Sequence, residues 1–178
     1  MFDGSMYGYR RAAEATLAPV QGWHNSTMSE KLRGYAHRVD VAADAEKVWL
    51  ALTKPEYLKR WCSPAADIKA RAGGLFRASV DRVIELEAHI DVFEPGRRLR
   101  LIYLPVTGLP PADSAIVDDF ILDSTPPETI VRLLGSGIPG TPDWDAQYRR
   151  LRMGWQAAMT RLKVFVEKQM AAGTPTGT

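Results

Sequence analysis

The chain is poor in the residues that build metal and disulfide sites. Its single cysteine, Cys62, cannot form an internal disulfide. One thiol also excludes the zinc and iron-sulfur sites that need several cysteines or cysteine-histidine clusters. The three histidines, His24, His37 and His89, are scattered without metal-ligand spacing, so no metal and no cofactor is expected. No stretch approaches the roughly 20 apolar residues of a membrane-spanning helix, and the N-terminus lacks the basic-then-apolar order of a secretory signal. Charge of one sign is lacking as well. Lys and Arg number 23 against 21 Asp and Glu, a net charge of +2, which argues against a nucleic-acid or anionic-membrane partner. A reducing, cytoplasmic setting is expected, in which the Asn25-Ser26-Thr27 sequon has no role.

What is present is an ordinary globular composition, 46% apolar and 25% charged over 178 residues, enough for one domain with a proper core. Residues 1–33 carry Gly4, Gly8, Pro19 and Gly22 among mixed sequence, with one short helical stretch from about Tyr9 to Leu17. They read as a mobile N-terminal extension. The patterned domain runs over residues 34–172, and residues 173–178 read as a disordered tail. From Tyr35, the residues Tyr35, His37, Val39 and Val41 alternate with Ala36, Arg38 and Asp40 as in a half-buried strand. Asp44 is placed to cap a helix that Lys54-Pro55 stops, and a second short helix covers Pro55 to Trp61.

Six further strands follow between Asp67 and Leu134, separated by turn signals at Gly73-Gly74, Asp81-Arg82, Pro95-Gly96, the Pro105 to Asp113 loop and Pro126-Pro127. In the stretch from Ile84 to Phe93, alternation puts Ile84, Leu86, Ala88, Ile90 and Val92 on the core face and Glu85, Glu87, His89 and Asp91 in water. Last comes a helix of about 30 residues, with Thr141 as cap, Pro142 at its first position and an end near Gly173. Tyr148, Leu151, Trp155, Ala158, Met159, Leu162, Phe165 and Val166 form its apolar stripe.

Several patterns invite a chemical reading. Gly135-Ser136-Gly137-Ile138-Pro139-Gly140 matches the dinucleotide fingerprint G-x-G-x-x-G. However, no parallel strand follows, and no acidic residue lies about 20 positions on to hold a ribose, so it reads as a flexible loop into the last helix. His89 with Glu85, Glu87 and Asp91 reads as a solvated sheet face. Asp118-Asp119 are neighbours on a strand and point to opposite faces, which suggests structural roles. Asp143 and Asp145 are accounted for by the positive end of the helix. Cys62 has no base beside it in sequence and reads as a packed thiol.

The order strand, helix pair, six strands, long helix resembles the SRPBCC or START-like superfamily, with its helix-grip fold. The resemblance rests on Val48-Trp49, Leu52-Thr53-Lys54-Pro55-Glu56 and Trp61 for the helix pair, and on Gly154-Trp155 with Leu162 for the final helix. Gly73-Gly74-Leu75-Phe76-Arg77 and Glu94-Pro95-Gly96-Arg97-Arg98-Leu99 are similar to the branch named after the activator of the heat-shock protein 90 ATPase. Two departures are Cys62, where the branch often has a second aromatic, and the Pro-rich stretch from Tyr103 to Ser114.

The resemblance implies an α+β fold, in which a curved seven-stranded antiparallel sheet wraps the C-terminal helix, with two short helices after the first strand. It also implies a cavity between sheet and helix, around which Trp61, Cys62, Phe76, Tyr103, Trp155 and Met159 are expected. The leading expectation is a binding module for a small apolar, aromatic or lipid-like molecule. A co-chaperone-like domain docking on a heat-shock protein 90 type ATPase is one alternative. An enzyme of the cyclase, dehydratase or hydrolase type is another, for which Tyr103, His89 and Cys62 are the first residues to test. No catalytic residue is assigned.

Overall fold

A computed structural model describes residues 31–79, 85–105 and 109–170. The N-terminal extension up to residue 30, the Asp81-Arg82 turn, Ile84 and the 173–178 tail lie outside the described residues. Strand β1 (Leu32–Val41) begins within the stretch assigned to the extension, because Leu32 and Arg33 already pair with Pro139 and Ile138. Helices α1 (Ala45–Thr53) and α2 (Pro55–Trp61) follow. Asp44 caps α1 by accepting a hydrogen bond from the Lys47 amide at 2.9 Å. Pro55 opens α2 at the position where a missing amide hydrogen costs nothing.

The remaining strands are β2 (Asp67–Ile68), β3 (Leu75–Ser79), β4 (Glu85–Glu94), β5 (Arg98–Tyr103), β6 (Val117–Thr125) and β7 (Glu128–Pro139). They form one antiparallel sheet in the order β1-β7-β6-β5-β4-β3-β2. The long helix is more segmented than its sequence suggests. A 3-10 turn at Pro142–Trp144 leads into α3 (Asp145–Phe165), and a π-helical turn, Val166–Met170, extends it. Thr141 is the residue before this turn, but its side chain makes no capping bond.

Alternation holds over most of the sheet, with two informative exceptions. A bulge between Ile90 and Val92 shifts the β4–β5 register, so Val92 opposes Arg100 and Phe93 opposes the buried Leu99. Phe93, rather than Val92, therefore turns inward and packs edge-on against Trp49 with centroids 5.1 Å apart. The second exception is the glycine-rich 135–140 stretch, which is strand rather than flexible loop, since β7 runs to Pro139 and its last residues pair with β1.

The core lies between the concave sheet and α3. Trp61, Trp144, Trp155, Phe76 and Phe120 are among its fully buried side chains, and truncating any one of them should cost about 3–5 kcal/mol. Among the described residues, no helix is long and apolar enough to cross a membrane.

Candidate functional site

Strand register brings one carboxylate into this core. In β6, Asp118 shares a face with Phe120 and Leu122, all three buried, while Asp119 faces outward and binds the Arg98 guanidinium at 2.6 Å. Across the sheet Asp118 lies opposite Gly135, which lies opposite Tyr35. Gly135 is needed between them, because a Cβ there would sit 2.3 Å from the Tyr35 ring. Its absence lets that ring lie across β7 and donate its hydroxyl hydrogen to Asp118 Oδ1 at 2.6 Å. Tyr103, on β5, donates to Asp118 Oδ2. From α3, the Trp155 indole donates to the Tyr103 hydroxyl at 3.2 Å. Three residues from β1, β5 and α3, the last acting through the Tyr103 hydroxyl, thus gather around a β6 carboxylate that is 0% exposed.

Burial pushes the Asp118 carboxyl up to about 6, while the Tyr103, Tyr35 and Trp155 hydrogen bonds pull it back towards the ionised form. The same burial raises both tyrosine hydroxyls well above their ordinary value, with the Asp118 charge adding to it, so both remain protonated donors. A fold needs no carboxylate at such a place, since an apolar residue of similar volume is usually at least as stable there. A convergent, strongly shifted group is therefore a candidate functional site.

Tyr103 also lines a pocket of about 370 Å³, together with Leu104, Pro105, the 109–112 stretch, Ser114 to Ile116 and Trp144. Two contacts fix its walls. The Trp144 indole donates to the Pro111 carbonyl at 3.1 Å, tying the Pro-rich loop to the start of the long helix. Ser114 donates to the Gly137 carbonyl at 2.7 Å. Gly137 has φ +79°, and a Cβ on it would lie 1.9 Å from the Ala115 carbonyl oxygen, so only glycine allows this wall to approach β7. Arg33 anchors the same end. It donates to the Pro139 carbonyl at 2.7 Å and to Asp145 at 2.6 Å, and it stacks 4.7 Å over the Tyr148 ring. Asp145 thus has a specific partner besides the helix end.

Of the six residues expected around a cavity, Tyr103 alone lines this pocket. Phe76, Trp155 and Met159 are at most 2% exposed and fill the space between sheet and helix; Trp155 joins the site through its indole hydrogen. Trp61 and Cys62 lie elsewhere, lining an opening between α2 and α3. Burial pushes the Cys62 thiol up to about 12, so it is not a ready nucleophile. His89 lies half-buried on β4, on the face where Glu87 pairs with Arg77 at 2.9 Å. Sequence reasoning gave Asp118 a structural role, placed Tyr35 only as a residue of the first strand, and did not single out Trp144. Asp118 was legible as the one acid at i, i+2, i+4 spacing with Phe120 and Leu122.

With this geometry in view, comparison with known proteins is informative. A sequence model of the family described as "Activator of Hsp90 ATPase homolog 1-like protein" matches residues 42–167. The chain belongs to this family. The match spans α1 through the end of α3, and so includes Tyr103, Asp118 and Trp155 while starting just beyond β1. No curated protein sequence matches the chain. Among solved structures, protein MLL2253 from Mesorhizobium loti is similar, with a TM-score of 0.66 and 27% identity over 77% of this chain and 98% of that one. The Aha1 dimer from Colwellia psychrerythraea has a TM-score of 0.65 at 20% identity, covering 76% and 97% of the two chains. CalU16 from Micromonospora echinospora reaches 0.59 at 22% identity, covering 79% and 80%. The last two likenesses establish the helix-grip fold that this Activator of Hsp90 ATPase homolog 1-like chain shares with them.

Proposed function

We propose that this chain binds a small, mainly apolar molecule carrying one hydrogen-bonding group, in the pocket lined by Tyr103, Leu104, Pro105 and the 109–112 stretch. The observation that carries the reading is that Tyr103 belongs both to this 370 Å³ pocket and to the network on the buried Asp118. Small-molecule sites are characteristically apolar hollows of this size with a few placed polar groups. Here the pocket walls are mostly proline, leucine, alanine and isoleucine, and the polar groups are few.

The test is a native mass spectrum of the purified protein against a denatured control, with fluorine NMR of an aromatic and short-lipid fragment library beside it. Ala112→Trp, which fills the pocket from an exposed wall position, is run in parallel. A retained mass or a fragment signal that Ala112→Trp abolishes supports the reading. A clean mass with no fragment bound, or binding that Ala112→Trp leaves untouched, contradicts it.

A catalytic role at the same place is favoured by one observation, the ionisation of Asp118 near 6 behind a tyrosine hydroxyl. In that reading the protonated form of Asp118 hydrogen-bonds the Tyr103 oxygen, so that Tyr103 passes its own proton to the bound molecule and takes the Asp118 proton in its place, leaving Asp118 ionised. Recovery of the bound molecule chemically unchanged after prolonged incubation removes it. The family's description also raises a chaperone partner, and unchanged ATP turnover by a heat-shock protein 90 type ATPase in the presence of this chain removes that one.

A further inference from the structure

A second hollow, separate from the Tyr103 pocket, lies where α2 meets α3. It has a volume of about 520 Å³, and its lining combines the apolar Trp61, Pro64, Met153 and Ala157 with the cations Lys59, Arg60 and Arg161. Among the described residues, no carboxylate lines it. Arg161 donates to the main chain, from Nε to the Trp61 carbonyl at 2.7 Å and from a terminal nitrogen to the Cys62 carbonyl at 3.2 Å, and neither acceptor is an anion. Arg60 lies 5.7 Å over the Phe165 ring. Met153 is 66% exposed on the same side of α3, an unusual place for a large apolar side chain.

The charge of the surrounding helix points the same way. Over Asp145–Phe165, α3 carries Arg149, Arg150, Arg152, Arg161 and Lys163 against the single acid Asp145, although the whole chain is nearly neutral at +2. The α3 segment thus has a net positive charge, which draws anions towards it.

We infer that the α2–α3 hollow is a binding site for a small anionic amphiphile, a carboxylate or sulfonate whose apolar body lies on Met153 and Ala157 while its head meets Lys59 and Arg60. The site does not depend on the Tyr103 pocket, and its ligand differs in chemistry by the negative head group.

The test uses decanoate below its micelle concentration, with decyltrimethylammonium as the oppositely charged probe. The readout is the methyl resonance of Met153, assigned by loss of the signal in Met153→Leu. Decanoate should shift that resonance saturably, and its affinity should fall about threefold or more as salt rises from roughly 20 to roughly 300 mM. Lys59→Ala combined with Arg60→Ala should weaken decanoate by about fivefold to tenfold, with little change in melting temperature because both side chains are exposed. Ala112→Trp should leave this binding intact, which separates its fate from that of the Tyr103 pocket. Equal binding of decyltrimethylammonium, an unmoved Met153 resonance, or undiminished affinity in the double variant would overturn the inference. So would adsorption to anionic vesicles with no binding of dissolved decanoate.

Discussion

The two ends of the space between sheet and helix are built on opposite principles. At the end closed by α1, α2 and the last turns of α3, aromatics pack on one another, Trp49 on Phe93 at 5.1 Å and Tyr57 on Phe165 at 5.7 Å. The one indole that needs a partner finds it locally, Trp61 donating to the Ala51 carbonyl at 2.8 Å. At the other end, an equally buried set of aromatics is organised around a carboxylate whose partners come from residues as far away as Tyr35, 83 positions back along the chain. The first arrangement is what stability alone selects. The second buries a charge and bonds it to Tyr103, a residue of its pocket, as a site for chemistry or recognition does.

At the closed end the largest effect is loss of packing. Trp61→Ala removes a side chain 1% exposed and should lower unfolding free energy by about 3–5 kcal/mol in urea titration. A loss below about 1 kcal/mol would mean that this end is less tightly packed than described here.

At the polar end the largest effect is a dependence on pH. The folded Asp118 value, about 6, lies above the ordinary 3.8, so the native state holds this proton more tightly than the unfolded chain. Its contribution to stability is therefore greatest below about pH 4 and is lost as pH rises through about 6. Asp118→Asn lacks this titration, so urea stabilities should show the variant gaining on the wild type by roughly 2 kcal/mol between pH 4 and pH 7. Titrations common to both proteins cancel in that difference.

A subtler disturbance is Gly135→Ala. The new methyl would overlap the Tyr35 ring and should cost about 1–3 kcal/mol. Displacing the Tyr35 hydroxyl should also raise the Asp118 midpoint. The smallest effect belongs to the neighbouring acid. Asp119→Ala breaks a partly exposed pair with Arg98 and should change stability by at most about 1 kcal/mol, so adjacent aspartates separate the two environments.

Much of the closed end was legible in the sequence because its signals are local. Asp44 before an acidic first turn, Lys54-Pro55 between two short helices, and the stripe from Leu151 to Val166 are read within a few residues. The polar end was not, because its logic is tertiary. Glycine is disfavoured in strands, so the 135–140 stretch reads as a loop. Its glycines are required by a ring on β1 and a carbonyl before β6, neither of which sequence spacing reveals. Likewise, the adjacency of Asp118 and Asp119 tells only that they face opposite ways. The partners that give the inward one its character, Tyr35 and Tyr103, are set by register across four strands. The β4 bulge that turns Phe93 inward is hidden for the same reason, since strict alternation assigns that face to Val92.

The most direct test of the difference between the two ends is a carbon-13 NMR titration of the aspartate carboxyls, with Asp118 assigned by its loss in Asp118→Asn. The structure predicts a midpoint near 6 for Asp118, moving higher in Tyr103→Phe as a donor to the ionised form is removed. An Asp118 that titrates near 4 like an exposed aspartate, unmoved by Tyr103→Phe, would contradict the account.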